Sequence, residues 1–384
     1  NVSAETPIIT GKTYGIYNPN GIVNYYDGIV TASLNQSIYG SVSDTIEEYD
    51  LNVQKNEETE TISLKIPSNY VAKIGENKYS TLQSAIDSIT ETTETKIDLI
   101  KDIETINNVM VPENKNIKLN LNGHTIKAYK KSGYIINNGT LKIVDSSKEK
   151  QGNLIGSGIT LIENNNSLTI EEAKLSTLLE APQVIDNKGT ATINNSTITA
   201  VNTENGTINN EENAVLKVTD STISKTGTSR NNVRNSGIAT FDNTKFNHNT
   251  SSSYSYYNIV NNSTGDITIT GGTYSNGYFI YNQGNATIND LVDTSNSNND
   301  MYNYGGTLNL NNVDKSKSSS PVSNNNNGTI NITGGSYHKY ISNSSGNLNI
   351  NDATINTSDN GLSNSQSGVV TINNSTITSN STGI

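Results

Sequence analysis

Apolar and polar residues along most of this chain alternate in a short unit that repeats many times. In each unit an apolar residue stands two positions before an asparagine, a polar turn containing glycine follows, and two apolar residues separated by one polar residue come next. In FIYNQGNATIND, Ile280 precedes Asn282, and Ala286 and Ile288 form the apolar pair. Because side chains alternate between the two faces of a strand, such a pair lies on one face, and the pattern predicts short β-strands.

The repeat returns at steps of 19 to 27 residues. Each unit supplies only four or five inward apolar residues, which is too few for a core, whereas stacked units share one continuous apolar interior. We therefore predict an all-β solenoid of parallel strands, with about three short strands in each rung. The asparagines at the repeated position are Asn137, Asn164, Asn187, Asn210, Asn235, Asn261, Asn282, Asn303, Asn324, Asn343 and Asn364.

The repeated asparagines are predicted to have a structural role. Asparagine tolerates the left-handed backbone conformation of tight turns, and its amide can both donate and accept hydrogen bonds between stacked copies. Stacked rungs would bring these amides into one ladder along the solenoid. The alternative is that asparagine is simply common in a polar chain, but its constant offset from the apolar residue favours the ladder.

The segment YVAKIGENKYSTLQSAIDSI, from Tyr70, differs from the repeat. It predicts two short strands joined by a turn, and then an amphipathic helix near residues 80–90. Ser80 or Thr81 can cap this helix, whose apolar stripe consists of Leu82, Ala85, Ile86 and Ile89. A helix laid across the first rung would cover the end of the solenoid.

The first 70 residues carry a partial copy of the pattern. GIYNPNGIVNYYDGIVTA, from Gly15, predicts rungs with Ile16, Ile22 and Ile29 pointing inward, and DLNVQKNEETETISLKI predicts two strands around a polar turn. We expect four segments: residues 1–50 as end rungs of a preceding solenoid, 51–70 as an extended hairpin, 71–112 as the capping segment and 113–384 as the main solenoid. Because NNSTITSNSTGI stops within a rung, we expect the stack to continue, either in a longer chain or in a second copy bound head to tail; a fragment boundary is the alternative.

Several of these segments resemble a known family. NGTINITGGSY (Asn327 to Tyr337), together with YVAKIGENKYSTLQSAIDSI and VPENKNIKLNLNGHTIKA, is similar to the pectin lyase-like right-handed parallel β-helix, and in particular to the repeats of large Gram-positive (Firmicutes-type) cell-surface and adhesin proteins. The resemblance implies an extracellular location and a role as a surface stalk or filament that supports adhesion. The alternative that it implies is a carbohydrate-binding or carbohydrate-active protein.

Composition limits the range of partners. Only 32% of the residues are hydrophobic, which would suggest disorder if they were not so regularly placed. The formal charge of -11 argues against a nucleic-acid partner, and the absence of cysteine excludes disulfides and thiolate metal sites. No apolar stretch is long enough to span a membrane. The expected partners are further copies, neighbouring repeats, or a host or environmental glycan.

Candidate catalytic residues are sparse. Enzymes of the resembled family use clustered carboxylates and a basic residue, or two or three aspartates on one strand face, and the chain has no such cluster in sequence. His124, His248 and His338 are isolated, and Arg230 and Arg234 in SRNNVRN read as part of a solvated turn. We therefore expect no enzymatic activity, metal or cofactor.

Tyrosine is the one enriched candidate for binding, with 20 Tyr against 3 Phe. Tyr281 and Tyr302 occupy the same place in successive repeats and should stack on one outer face, where tyrosine suits contacts with sugars or proteins. The alternative is that tyrosine is a favoured strand residue without a ligand. The candidate binding residues are Tyr254, Tyr256, Tyr257, Tyr278, Tyr281, Tyr302 and Tyr304; Tyr274 belongs to the same concentration of tyrosines.

Overall fold

The computed structural model describes residues 8–24, 29–43, 50–55, 59–65, 70–129, 134–178, 181–201, 203–227, 230–249, 257–294, 300–318, 320–358 and 360–383. The chain divides into two units, Asn1–Tyr70 and Val71–Ile384. The predicted division into four segments stays a prediction.

The first unit contains two small sheets. One has the strand order Ile8–Gly11, Ile29–Ala32, Glu60–Lys65 and Asp50–Lys55, and the other pairs Ile16–Asn24 with Ile38–Ser43. The last two strands of the first sheet form the expected antiparallel hairpin, whereas Ile8–Gly11 pairs in parallel with Ile29–Ala32.

The inward position predicted for Ile22 is wrong, since its side chain is 66% exposed. The pairing of Ile16–Asn24 with Ile38–Ser43 shifts register between Tyr17 and Ile22. Four residues lie between these paired positions in the first strand and only one, Gly40, in the second, and an odd difference of this kind turns the following side chains to the other face. Val30 and Ile38 form the small buried core of this unit, and Ile16 is only partly buried against them.

The second unit is a parallel β-solenoid in which each rung adds one strand to each of three sheets, as predicted. Sheet A, the first in each rung, has 15 strands, of which the first two form an antiparallel hairpin at the end of the sheet. They are Ala72–Ile74, Asn77–Tyr79, Thr95–Leu99, Asn116–Asn120, Thr140–Val144, Ser167–Glu171, Thr190–Asn194, Val215–Thr219, Ile238–Asp242, Asp266–Thr270, Asn285–Asn289, Thr307–Asn311, Thr329–Thr333, Asn347–Asn351 and Val369–Asn373.

Sheet B follows sheet A in each rung and has 13 strands. They are Ile103–Thr105, Thr125–Tyr129, Asn153–Ser157, Lys174–Thr177, Thr197–Val201, Thr222–Thr226, Lys245–Asn249, Thr273–Ser275, Val292–Asp293, Asp314–Lys315, Ser336–Tyr337, Thr354–Thr357 and Thr376–Ser379.

Sheet C closes each rung and has 12 strands, which carry the repeated asparagines. They are Val109–Val111, Ile135–Asn137, Ile162–Asn164, Ile185–Asn187, Ile208–Asn210, Val233–Asn235, Tyr257–Asn261, Tyr278–Asn282, Met301–Tyr304, Val322–Asn325, Ile341–Asn343 and Leu362–Asn364.

The interior of this unit is a single apolar core. The alternating strands of sheet A bury their paired residues, so that Ile288 stacks between Ile269 and Leu310 of the adjacent rungs. Each rung contributes the few side chains that the sequence predicts, and burial comes from stacking. The low overall hydrophobicity is therefore compatible with a continuous core.

The predicted capping helix, α1, spans Leu82–Asp87. Thr81 is its N-cap, and the Thr81 hydroxyl accepts a hydrogen bond from the Ser84 amide at 3.0 Å. Leu82, Ala85 and Ile86 are buried against the first rungs, which confirms the predicted apolar stripe.

Candidate functional site

The asparagine ladder, meaning the eleven asparagines of sheet C, runs through the inside of the solenoid. Parallel pairing sets each asparagine beside its equivalent in the next rung, for example Asn261 beside Asn282 and Asn282 beside Asn303. The Asn282 Nδ2 donates to Asn303 Oδ1 at 2.8 Å, and Asn261 Nδ2 donates to Asn282 Oδ1 at 2.8 Å. The same amide-to-amide bond connects every consecutive pair from Asn137 to Asn364.

Each ladder amide also bonds to the backbone. The Asn282 Nδ2 donates to the carbonyl oxygens of Gly284 and Thr307, both at 3.0 Å. The Asn282 side chain is completely buried. Because buried polar groups are costly without partners, the ladder ties the turn of one rung to the next and confirms the predicted structural role.

Glycine follows the ladder asparagine because the chain passes very close to the previous rung. A Cβ at Gly284 would lie 2.2 Å from the Gly265 carbonyl oxygen, and one at Gly306 would lie 2.3 Å from that of Gly284. At these two turns a side chain would collide with the backbone of the previous rung, so glycine is favoured there. The corresponding position of other rungs holds Asn166 or Ala214, so the close approach differs from rung to rung.

A second, shorter asparagine pair was missed by the sequence analysis. Asn232 Nδ2 donates to Asn258 Oδ1 at 2.7 Å, and both side chains are completely buried. Each of these residues directly precedes the inward apolar residue of its sheet C strand, Val233 or Ile259. The position directly before the inward apolar residue is therefore the feature of the sequence that marks this pair.

The corner between sheets A and B holds a residue in the left-handed conformation in many rungs. Asn195 and Asn243 there have φ angles of 46° each, and Gly271 occupies the equivalent corner with φ of 62°. Asparagine, aspartate and glycine tolerate this conformation best. The second asparagine of runs such as INNSTI therefore marks a corner and not a further ladder position.

The tyrosine strip, defined as Tyr257, Tyr278, Tyr281, Tyr302 and Tyr304, lies on the outer face of sheet C. Tyr281 and Tyr302 stack as expected, with ring centroids 5.6 Å apart and planes 17° apart, and Tyr304 stacks on both. Tyr257 contacts Tyr278 and Tyr281. Tyr254 and Tyr256 lie outside the described residues. That the strip binds a ligand stays a prediction.

Partial burial and neighbouring phenols raise the pKa of Tyr281 and of Tyr302. Burial, with a smaller contribution from Asp300, raises the pKa of Tyr257 strongly. These three phenols are therefore uncharged at neutral pH and present hydroxyl groups that can donate and accept hydrogen bonds. Tyr274 does not belong to this surface, because its side chain is fully buried in the core.

The remaining sequence candidates do not converge on one site. Arg234 is exposed on a sheet C strand and not in a turn, and Arg230 is exposed outside the strands. His124 lies 3.3 Å from Asp102, His338 is exposed, and His248 is buried. Within the described ranges, no group of three or more His, Asp or Glu side chains could hold a metal ion.

Among the residues that the structure describes, two lysines, Lys225 and Lys315, are buried inside the solenoid, and no pattern in the sequence predicts this burial. Burial lowers the pKa of Lys225 to about 7, and its Nζ donates to the carbonyl oxygens of Arg230 and Tyr257. His248 is its register neighbour, and burial together with the Lys225 charge lowers the pKa of His248 to about 4.

The second buried lysine, Lys315, belongs to a connected polar group. Its Nζ lies 3.1 Å from the Tyr274 hydroxyl, 2.9 Å from the Ser318 hydroxyl and 3.8 Å from Asp293 Oδ2. The Tyr274 hydroxyl donates to Asp293 Oδ2 at 3.0 Å. Burial lowers the pKa of Lys315 to about 8, and the Asp293 and Asp300 carboxylates oppose this shift.

No family model, curated protein or solved structure matches this chain. In the described part of the chain, no helix is both long enough and apolar enough to cross a membrane. The family resemblance of the sequence analysis is thus supported at the level of the fold. The protein is a parallel β-solenoid with an internal asparagine ladder.

Proposed function

We propose that this protein is a structural β-solenoid segment of a cell-surface stalk or filament. The observation that carries the proposal is the unbroken asparagine ladder from Asn137 to Asn364, whose amides are bonded rung by rung. In the described ranges, its ladder side chains hold similar rungs together and do not converge on a single reaction centre. Such a solenoid is suited to spanning distance.

The proposal includes self-association along the solenoid axis. Backbone amides and carbonyls of a parallel strand point toward the neighbouring strands, so the pairing that joins two rungs can also join a rung to a further one. That further rung can come from a longer chain or from another copy, and an open head-to-tail contact produces a filament.

The location and the assembly can be tested together. Antibodies against residues 71–384, applied to intact cells that make the protein, should label the cell surface. Electron microscopy of the native material should show thin fibres with a regular axial repeat, and mild proteolysis of intact cells should release them. Labelling only after the cells are lysed, with discrete particles in place of fibres, would contradict the proposal.

The proposal also holds that the chain is not an enzyme. Incubation with pectin or polygalacturonate, with and without calcium, should give neither unsaturated products nor new reducing ends. A chain in which Arg230 and Arg234 are both replaced by Gln serves as the matched control. Product formation at an enzyme-like rate, lost in that control, would instead support a carbohydrate-active protein.

A second candidate function is glycan binding at the tyrosine strip. The observation that favours it is the stacking of Tyr281, Tyr302 and Tyr304 on one outer face. Neighbouring rings cover part of one another, but Ser323 follows Tyr302 in the same outward column, and its small side chain leaves room beside the ring. A sugar ring could stack there and bond to the phenol groups.

Glycan binding can be tested on a glycan array and by calorimetry. Replacing Tyr281 and Tyr302 with Ala should abolish binding of any glycan that the native chain retains. Tyr129→Ala, which removes a 37% exposed tyrosine from sheet B, is the matched control and should leave binding unchanged. Equal losses in both variants, or no bound glycan, would rule this candidate out.

A further inference from the structure

One column of side chains runs along the inner face of sheet B with one residue from each rung, and in several rungs a second inward residue lies two positions later, such as Lys225 after Ile223. Over most of its length this column is apolar, as with Ile198 and Ile223 before its middle and Ile355 after it. In the middle, three successive rungs instead supply Tyr274, Asp293 and Lys315. We call these three residues the buried polar column. Their side chains are 0 to 2% exposed.

Burial of this kind does not favour stability by itself. Removing a carboxylate and an ammonium group from water costs free energy that their attraction repays only with good geometry, and apolar replacements are often as stable or more so. The Tyr274 hydroxyl bonds to both charged groups, at 3.0 Å to Asp293 Oδ2 and 3.1 Å to Lys315 Nζ. The bonds that join the three groups to one another therefore form only when their rungs stack in this order.

A solenoid of similar rungs faces a particular folding problem. If one rung is looped out, the next can stack in its place with its apolar pairs buried as before, because loop closure costs little more for a longer loop. The asparagine ladder does not prevent this slip, since Asn261 would meet Asn303 with the same groups as it meets Asn282. The ladder fixes the position of residues within a rung, and every rung offers the same ladder contact.

We propose that Tyr274, Asp293 and Lys315 determine which rungs stack on one another, by making the native rung order the one in which these buried groups are all bonded. Looping out the rung that contains Asp293 would place Lys315 next to Tyr274 without that carboxylate. An unpaired buried charge is strongly unfavourable. The polar column thus adds a penalty to a slipped stack in which the remaining apolar pairs and ladder contacts match the native ones.

The absence of cysteine makes rung order measurable by engineered disulfides. Thr268 and Thr287 are register neighbours on the outer face of sheet A, and Thr287 is the register neighbour of Asn309. A Thr268→Cys, Thr287→Cys chain reports the native order. A Thr268→Cys, Asn309→Cys chain reports the slip, because in the native order these positions are two rungs, or about 10 Å, apart, and a disulfide does not span that distance.

The test compares refolding from denaturant, under oxidising conditions, of the native column and of a column with Tyr274→Phe, Asp293→Leu and Lys315→Met. With the native column, only the native-order disulfide should form. With the apolar column, we expect the slip-reporting disulfide to rise at least tenfold, while circular dichroism and the melting temperature stay close to native. Exchanging the charges, with Asp293→Lys and Lys315→Asp, should restore the native order.

A chain with Ile223→Val and Ile355→Val, which loosens the same column without touching its polar part, is the control and should refold in the native order. An apolar column that gives only the native-order disulfide would overturn the proposal. So would an apolar column that fails to fold, because the polar groups would then be required for stability and not for selection. A charge-exchanged chain that slips as often as the apolar one would show that the pairing is irrelevant.

Discussion

At the scale of single residues, the ladder position requires a side chain that donates and accepts through one planar group. The Asn282 amide accepts from Asn261 through Oδ1 and uses its Nδ2 for Asn303 and two backbone carbonyls. Aspartate could not donate, and serine could not reach in both directions. Chemistry therefore selects asparagine, and the apolar residue two positions earlier keeps it on the inner face.

Replacement of Asn282 with Ala should lower the free energy of unfolding by about 1–3 kcal/mol, because buried partners in two adjacent rungs lose a hydrogen bond. Asn285→Ala, in the same rung but with an exposed side chain, is the control and should be close to neutral. Urea unfolding followed by circular dichroism measures both. Equal effects of the two substitutions would contradict a structural ladder.

The buried bases should make stability depend on pH. Their folded-state pKa values, about 7 for Lys225 and about 4 for His248, lie below the ordinary values of 10.5 and 6.5. The unfolded chain therefore binds more protons in these intervals, and stability should rise with pH from about 4 to 6.5 and again above about 7. Lys225→Met should reduce the slope of the free energy of unfolding against pH, between pH 7 and 9, by up to about 1.4 kcal/mol per pH unit. Urea unfolding at several pH values measures this slope. An unchanged slope would show that the Lys225 ammonium is not desolvated.

At the scale of the elements, the turns determine how closely two rungs can approach. The turn after the ladder asparagine brings Gly284 against the backbone of the previous rung, whereas the corner at Gly271 has open space around it. Two glycines in the same region of the chain therefore have different reasons to be there. Close contact with the previous rung favours glycine at Gly284, whereas the left-handed backbone conformation at Gly271 is one that glycine, asparagine and aspartate tolerate.

Gly284→Ala should destabilise the solenoid by about 1–3 kcal/mol, as expected for overpacking against a backbone that cannot move away. Gly271→Asn is the matched control, because asparagine occupies the same corner at Asn243 with φ of 46°. It should be neutral or slightly stabilising, since it restricts the unfolded chain. Thermal melts compare the melting temperatures of both variants. An unchanged melting temperature for Gly284→Ala would show that the backbone of this turn can move to accommodate the added methyl group.

At the scale of the whole molecule, the two units have separate apolar cores. Val30 and Ile38 belong to the first, and the continuous core of the solenoid lies within residues 71–384. The helix α1 contributes Leu82 and Ile86 to the solenoid core. The solenoid unit therefore contains the interactions needed to fold by itself.

A fragment of residues 71–384 should fold with the circular dichroism of a β-protein and unfold cooperatively. Removing residues 71–94 from it as well should expose the first rung and lower its melting temperature by several degrees, because the buried stripe of α1 is lost. A fragment 71–384 that is unfolded, or an unchanged melting temperature after the second deletion, would contradict this division of roles.

Local sequence was sufficient for the features that repeat. The spacing of Ile280 and Asn282, the pair Ala286 and Ile288, and the stripe of α1 each follow from a period within a few residues, so strands, ladder and cap could be predicted. The stacking of Tyr281 on Tyr302 followed from their equal place in successive units.

Features that depend on neighbouring rungs were decided only by the tertiary structure. The chain between the apolar pair and the ladder asparagine varies in length, so sequence alone does not show that Asp293 lies beside Lys315, or that Tyr274 points inward while Tyr278 lies on the outer face. The irregular pairing that turns Ile22 outward has the same origin, because the number of residues between two paired positions, and not the composition, decides which face a side chain takes. Where the repeat is regular, the sequence determines which residues of a strand face inward. Stacking determines which side chains of different rungs meet, since contacts between rungs join residues about twenty positions apart.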